Sequence, residues 1–494
     1  MAASSADAGK ASTAAPHALL LPYPAQGHVI PFMELAHQLL DRGFAVTFVN
    51  TEFNHRRVVD GGADPSGRRR LRLVGVADGM EDAEDRDNLV RLNAAMQEAI
   101  PPQLETLLDG GGDRAGGDGL GKVTCVVVDV GMSWALDMAK ARGLPAAALW
   151  AASAAVLAVL LGAKGLIRDG VIDDDGAPVK LANNSFQLAG ATAPMDASFL
   201  AWNHMMGSRD AARMVFHYLT TTAWAAAAKA DVVLCNTFAD LEPAIFAART
   251  QRSSSPDDDD TTTAAAILPV GPLRTWPRPA AAELEAPVVG HFWRADDEAS
   301  LSFLDAQPRG SVVYVAFGSL AVMSPAQLEE LALGLEASGR PFLWVVRPGL
   351  AGKLPTAFTD LAARHGRGKV VEWAPQDRVL AHPAVGCFLT HCGWNSTLES
   401  IRNAVPMLCW PYFTDQFSNQ TYICDIWMVG LRVEPSETQG TVTKETIMER
   451  IESVLGDSGI KERVERLKEF AEKSMSGEGR SLKNLDAFIE SLRK

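Results

Sequence analysis

The feature that most restricts the fold is a series of short, unbroken apolar runs, each followed by a stretch of helical character. In the first half the runs are His17–Leu21, Ala45–Asn50, Val123–Asp129, Pro145–Trp150 and Asp231–Asn236. Continuous rather than alternating apolar runs mark strands covered on both faces, and helices between them make the strands parallel. One helix is expected over 31–42, with Pro31 in its first turn and Gly43 past its end. A second series follows: Ser311–Phe317, Pro341–Val346, Lys369–Val371, Val385–Thr390 and Met407–Trp410. There Ser324 and Gln327 form a capping box for a helix that stops before Gly339. The expected fold is therefore α/β, with two doubly wound domains. At 494 residues the chain exceeds one ordinary core, so halves of roughly 200–250 residues should face a cleft.

The divisions follow composition. Residues 1–16 are rich in Ala and Ser without an apolar core and read as a disordered tail rather than a signal peptide. The first domain is expected over 17–265, a Pro-rich linker over 266–290 and the second domain over 291–475. A charged helix over 476–494 can pack back on the first domain. The tracts 110–121 and 253–266 read as flexible loops. Leu144–Ala163 is the one run of membrane-like length, but Pro145, Ser153 and many Ala favour a strand to Trp150 and a helix capped by Ser153.

Charge narrows the partners. A net charge of −14 argues against nucleic acid and anionic membranes, so phosphates must be held by local dipoles. The six cysteines are scattered without a CxxC pair, which fits reduced thiols in a cytoplasmic protein. A monomer is expected.

Function concentrates between Trp373 and Gln416, in WAPQDRVLAHPAVGCFLTHCGWNSTLESIRNAVPMLCWPYFTDQ. Ligands in open α/β sheets bind beyond the carboxyl ends of strands, which is where the turn HCGWNS lies. Gly393 permits close backbone approach, and a helix starting near Asn395 or Ser396 offers free N–H groups to a diphosphate. His391, Asn395 and Ser396 can add donors. Trp373 can stack on a base and Glu399 can accept from ribose hydroxyls. Ser396 and Glu399 also satisfy a capping box, which is the structural alternative for that pair. Asp415 and Gln416 end another strand, within reach of sugar hydroxyls.

This segment resembles the full-length signature of the plant secondary-product glycosyltransferases, which use uridine-diphosphate sugars. The likeness extends to Ala316-Phe317-Gly318-Ser319 and to Pro24-Ala25-Gln26-Gly27-His28. The resemblance implies the GT-B fold, two Rossmann-like domains about a central cleft, with the acceptor held by the N-terminal half and the donor by the C-terminal half. It implies that Trp373 and Ala374 meet uracil, and that Gln376 and Glu399 hold the ribose. His391, Asn395, Ser396 and Ser319 would meet the diphosphate, while Trp394, Asp415 and Gln416 surround the sugar. Gln416 and Trp394 resemble the residues of glucose users, so UDP-glucose is the expected co-substrate, with no further cofactor.

Glucose transfer to a hydroxyl needs a base. His28 follows the first strand where a helix begins, and Asp129 ends a buried strand, so both should face the strand-end crevice. His28 would act as general base, with Asp129 orienting it as the acid does in a hydrolase triad. The alternative for Asp129 is a cap on the turn before Ser133. Gln26, Met80, Met132, Trp150, Phe199, Trp202 and Phe413 are candidates for a small hydrophobic acceptor's pocket, or else core. No metal is expected, because the Asp tracts at 173–175 and 257–260 read as solvated turns. A dinucleotide oxidoreductase would need G-x-G-x-x-G where PYPAQGHV stands. A non-catalytic sugar-nucleotide or small-molecule binder is the other reading, opposed by the presence of both His28 and Asp129.

Overall fold

The computed structural model describes residues 15–60, 70–81, 86, 88–110, 120–179, 185–188, 194–204, 208–252, 265–274, 292–293, 296–319, 321, 323–347, 366–435 and 440–493. The expected tail 1–16, the tracts 110–121 and 253–266 and the linker 266–290 lie largely outside these residues.

The first half runs β1 (His17–Leu21), α1 (Gln26–Asp41), β2 (Ala45–Thr51), β3 (Leu71–Val76), β4 (Cys125–Asp129), β5 (Ala146–Trp150), α2 (Ala154–Leu161), α3 (Arg209–Lys229), β6 (Val232–Cys235) and β7 (Ala266–Pro269). Its strands lie in the order β3-β2-β1-β4-β5-β6-β7, all parallel. The second half contains β8 (Val312–Ala316), α4 (Pro325–Ala337), β9 (Phe342–Val345), β10 (Gly368–Val371), α5 (Gln376–Leu380), β11 (Val385–Thr390), α6 (Trp394–Arg402), β12 (Met407–Cys409), α7 (Gln416–Thr421) and β13 (Gly430–Arg432). Here the order is β10-β9-β8-β11-β12-β13, again all parallel. Both orders are doubly wound. Their winding reverses between β1 and β4 and between β8 and β11, where such sheets open a crevice.

The apolar runs become strands because both faces are covered; every residue of β1, β2, β4, β5 and β8 is buried. The 144–163 run divides as its composition implies, with the Ser153 side chain accepting from Val156 N–H to cap α2. Ser324 likewise caps α4 through Gln327 N–H. Among the described residues no helix is long and apolar enough to cross a membrane.

Two helices end the chain, α8 (Ser458–Ser474) and α9 (Arg480–Ser491). The second returns to the first half, where Leu485, Phe488, Ile489 and Leu492 join the core built on Leu20, Val46 and Phe48. Asn484 donates to Pro269 O, and Arg42 pairs with Asp486 at 2.6 Å. Helix α9 is thus tied to the first half by both apolar and polar contacts.

One boundary matters for function. Helix α1 starts at Gln26, five residues before the expected start, so His28 lies in its first turn and Pro31 lies inside it. A proline there has no N–H for the carbonyl four residues back, which is Gly27 O. The helix tolerates it because Asn395 Nδ2, from the second half, donates to Gly27 O at 2.8 Å.

Candidate active site

His28 and Asp129 meet across the β1–β4 reversal. His28 Nδ1 and Asp129 Oδ2 are 2.7 Å apart, with Asp129 only 1% exposed. The carboxylate's other oxygen accepts from Gly131 N–H at 2.8 Å, so Asp129 caps a turn and holds the imidazole together. Burial alone would lower the basicity of His28, but the charge and hydrogen bond of Asp129 outweigh it and raise its pKa above the usual 6.5. Tyr23 packs against the ring at 5.3 Å and gives its hydroxyl to Asn93, so it leaves Asp129 to His28. With Nδ1 engaged, Nε2 is the nitrogen that can act on a ligand. The charges of His28 and Asp415 are close enough to perturb one another, which places the pair opposite the second half's strand ends.

The second half arranges its residues around the N-terminus of α6. Gly393 is its N-cap, and no side chain caps it. The capping-box reading of Ser396 and Glu399 therefore fails, because Ser396 is already in the first turn. Its Oγ accepts instead from Gln376 Nε2 at 2.9 Å. Gln376 Nε2 also donates to Glu399 Oε2 at 2.6 Å, and Tyr314 donates to Gln376 Oε1 at 3.2 Å. Glu399 is thus held at both oxygens, Oε2 by Gln376 and Oε1 by Arg274 Nη1 at 3.5 Å. Burial raises the pKa of Glu399, against the pull of Arg274.

His391 fits between two glycines: a Cβ on Gly318 (φ +68°) or on Gly393 would stand 2.5 Å from its Nε2. Burial draws its pKa down to about 4, so it is neutral at pH 7. Ser319 follows Gly318 in the same loop, and Arg347, absent from the sequence reading, braces that loop through the carbonyls of Ser319 and Ala321. The half-buried Trp373 indole is stacked on Trp293 with centroids 4.7 Å apart. Ala374 is buried, so only its backbone can meet a ligand.

Asp415 and Gln416 stand at the start of α7. Gln416 Oε1 accepts from the N–H groups of Tyr412 and Phe413, both at 2.8 Å. Two N–H partners fix the amide's orientation, with its NH2 as the end they do not engage. Asn419, which the sequence reading missed, donates to Asp415 Oδ2 and to Cys392 O, both at 2.9 Å. Its amide joins the turn before α6 to the start of α7, and no local motif signals the bond to Cys392. Cys392 and Thr414, beside these groups, both have positive φ without being glycine, at 65° and 49°.

The remaining candidates take varied positions. The Trp394 indole is 5% exposed and donates to Asn236 O at 2.8 Å, so its side chain bridges the two halves. Asn395 gives one of its two side-chain N–H donors to Gly27 O. Met132 and Trp202 are 1% exposed and belong to the core, as does Trp150, whose N–H goes to Ser153 O. Phe199 packs on His204 and Phe417 where the halves meet. Met80 packs against that core, and Phe413 is half-buried. Gln26 retains a buried Oε1 with no partner among the described residues. Asp173 caps its own turn, Asp175 faces Arg213 and His217, and 257–260 lie outside the described residues.

Two facing Rossmann-like crevices, one with a His–Asp pair and one with an uncapped helix N-terminus, define a nucleotide-ligand transferase of GT-B architecture. The comparisons agree. The family described as UDP-glucoronosyl and UDP-glucosyl transferase matches residues 19–475. UDP-glycosyltransferase 83A1 of Arabidopsis thaliana is 35% identical, with 96% of each chain covered. DIMBOA UDP-glucosyltransferase BX8 of Zea mays is 34% identical, over 96% of this chain and 98% of the other. The structure of Phytolacca americana UGT2 complexed with UDP-2fluoro-glucose and pterostilbene aligns with a TM-score of 0.76 at 28% identity, covering 97% of this chain and 100% of that one. The chain belongs to the UDP-glucoronosyl and UDP-glucosyl transferase family and is a UDP-glycosyltransferase.

Proposed function

We propose that this enzyme transfers glucose from UDP-glucose to a hydroxyl of a small aglycone, a flavonoid, phenylpropanoid or similar compound, with inversion at C1. The observation that supports it most is the 2.7 Å contact of His28 Nδ1 with the buried Asp129 carboxylate. That contact favours the tautomer with a lone pair on Nε2, which removes the acceptor proton as the hydroxyl oxygen attacks C1. Asp129 stabilises the imidazolium that forms. UDP leaves from the opposite face, its negative charge met by the first turn of α6. Glu399 and Gln376 hold the ribose, Trp373 the base, and Asp415 and Gln416 the glucose.

Glucose as donor is supported by Gln416 and by relatives whose names carry that sugar, among them (R)-mandelonitrile beta-glucosyltransferase of Prunus dulcis, 32% identical with 97% of each chain covered. The test is an aglycone panel with UDP-glucose, scored by glucoside formation for wild type and His28→Ala. Base catalysis contributes about two to four orders of magnitude, so the variant should lose at least about a hundredfold in kcat while UDP affinity stays near wild type. Full turnover by His28→Ala on a good acceptor would remove His28 from the mechanism.

A further inference from the structure

Arg274 follows β7 and lies where the two halves meet, 25% exposed. Each of its three nitrogens faces a different carboxylate. Nε is 3.7 Å from Glu34 on α1, Nη2 is 3.2 Å from Asp377 on α5, and Nη1 is 3.5 Å from Glu399 on α6. The three acids are 12–21% exposed. Arg402 adds one further cation, 3.1 Å from Asp377, and Tyr314 lies on the β8 side of Glu399. Losing Arg274 would remove the guanidinium that faces all three of these carboxylates.

We infer that Arg274 is a positioning residue for the donor, holding Glu399 as an ionised acceptor for the ribose hydroxyls and tying it through Glu34 to the helix that bears His28. The inference rests on the assignment of Glu399 to the ribose. A carboxylate accepts two hydroxyl hydrogen bonds only while ionised; protonated, it spends one oxygen as a donor. Burial pushes Glu399 toward protonation and Asp377 adds to that push, whereas Arg274 is the largest opposing influence. The planar fork suits this task because it meets three partners at fixed angles, which an ammonium cannot do. Glu34 shares α1 with His28 and Gly27, so the same helix is held by Arg274 at one point and by Asn395 at another.

The experiment measures binding of UDP and of 2′,3′-dideoxy-UDP by calorimetry at pH 8 and pH 6, for wild type, Arg274→Gln and Arg274→Lys. Wild type should prefer UDP. Arg274→Gln should bind UDP at least about tenfold more weakly at pH 8 and lose a further several-fold at pH 6, while its affinity for the dideoxy analogue changes less than about twofold. The acidic loss follows from sign: without Arg274 the Glu399 pKa rises further, and the acceptor form disappears as pH falls. Arg274→Lys keeps the charge and should fall between the two for UDP alone, so it serves as the test if the Gln variant does not fold. Equal weakening of both nucleotides would mean a direct diphosphate contact and overturn the inference. Unchanged UDP binding in Arg274→Gln would also overturn it. A wild type that binds both nucleotides equally would instead overturn the ribose assignment of Glu399, and the inference with it.

Discussion

Replacing Asp129 by its closest isostere should be as damaging as deleting its side chain. In the native site one oxygen accepts from Gly131 N–H and the other faces His28 Nδ1. An asparagine has only one acceptor to offer. If its oxygen stays on Gly131, its NH2 faces Nδ1 and forces the imidazole into the tautomer whose Nε2 carries hydrogen and cannot act as base. If its oxygen turns to His28, two donors confront each other at Gly131 in a site that is 1% exposed. The lost charge-assisted bond contributes about 1.5–3 kcal/mol, and the mismatched donor or wrong tautomer costs about 1–3 kcal/mol more. At 1.36 kcal/mol per decade, Asp129→Asn should lower kcat by about 10²- to 10⁴-fold.

The pH profile supplies a second, independent reading. Asp129 holds the His28 pKa above 6.5 against burial, so the acid limb of kcat/KM should lie above that value in wild type. Without the carboxylate, burial prevails, and the limb should move to lower pH even as the plateau drops. Stability should shift with the opposite emphasis. A raised histidine pKa stabilises the fold below the unfolded value and loses that contribution as pH rises through the folded value, so the variant's deficit should be larger at pH 5 than at pH 9. The assay is glucoside formation by chromatography across pH 5–9, with circular dichroism melts at both ends. An Asn variant that keeps a third of wild-type turnover, or an acid limb that stays in place, would refute the argument.

Because Gln416 is braced through its oxygen and presents only NH2, wild type should prefer UDP-glucose over UDP-galactose by about ten- to hundredfold, the cost of one unpaired polar group. Gln416→Ala should lose most glucose transfer, and the comparison is of specificity constants for both donors; equal use of the two by wild type would sink the assignment. Transfer should survive excess EDTA, since the diphosphate is assigned to the N-terminus of α6. Loss of activity on chelation, restored by Mg²⁺ or Mn²⁺, would mean that a metal does that work.

The strands were legible because burial on both faces writes itself as unbroken apolar runs, and Ser153 and Ser324 were legible because a cap is a local contact. His28 and Asp129 were legible as strand-end residues, although the start of α1 was not. Pro31 reads as a helix opening, and only the distant Asn395 makes it tolerable inside one. The same limit hid Arg274, whose partners lie on other elements, and the bond from Asn419 to Cys392 O, and it left the apolar pocket candidates unresolved. Met132, Trp150 and Trp202 have the composition of a pocket lining, and nothing local distinguishes that from core.

Three of the contacts that sequence could not show share one form. Gly27 O, Asn236 O and Leu241 O in the first half each accept from a side chain of the second, namely Asn395, Trp394 and Trp427. A backbone carbonyl has a position fixed by its own helix or strand, so three such bonds set the register between the halves to within hydrogen-bond tolerance. His28 is next to the first of these carbonyls and thus inherits its placement from the donor half. Two side chains with the chemistry to touch a nucleotide sugar are used for this closure. In the proposed reaction the sugar is met by Asp415 and by the NH2 of Gln416, and the diphosphate by the first turn of α6. On the proposed mechanism, base and leaving group would thereby be held in one frame, as an in-line displacement requires.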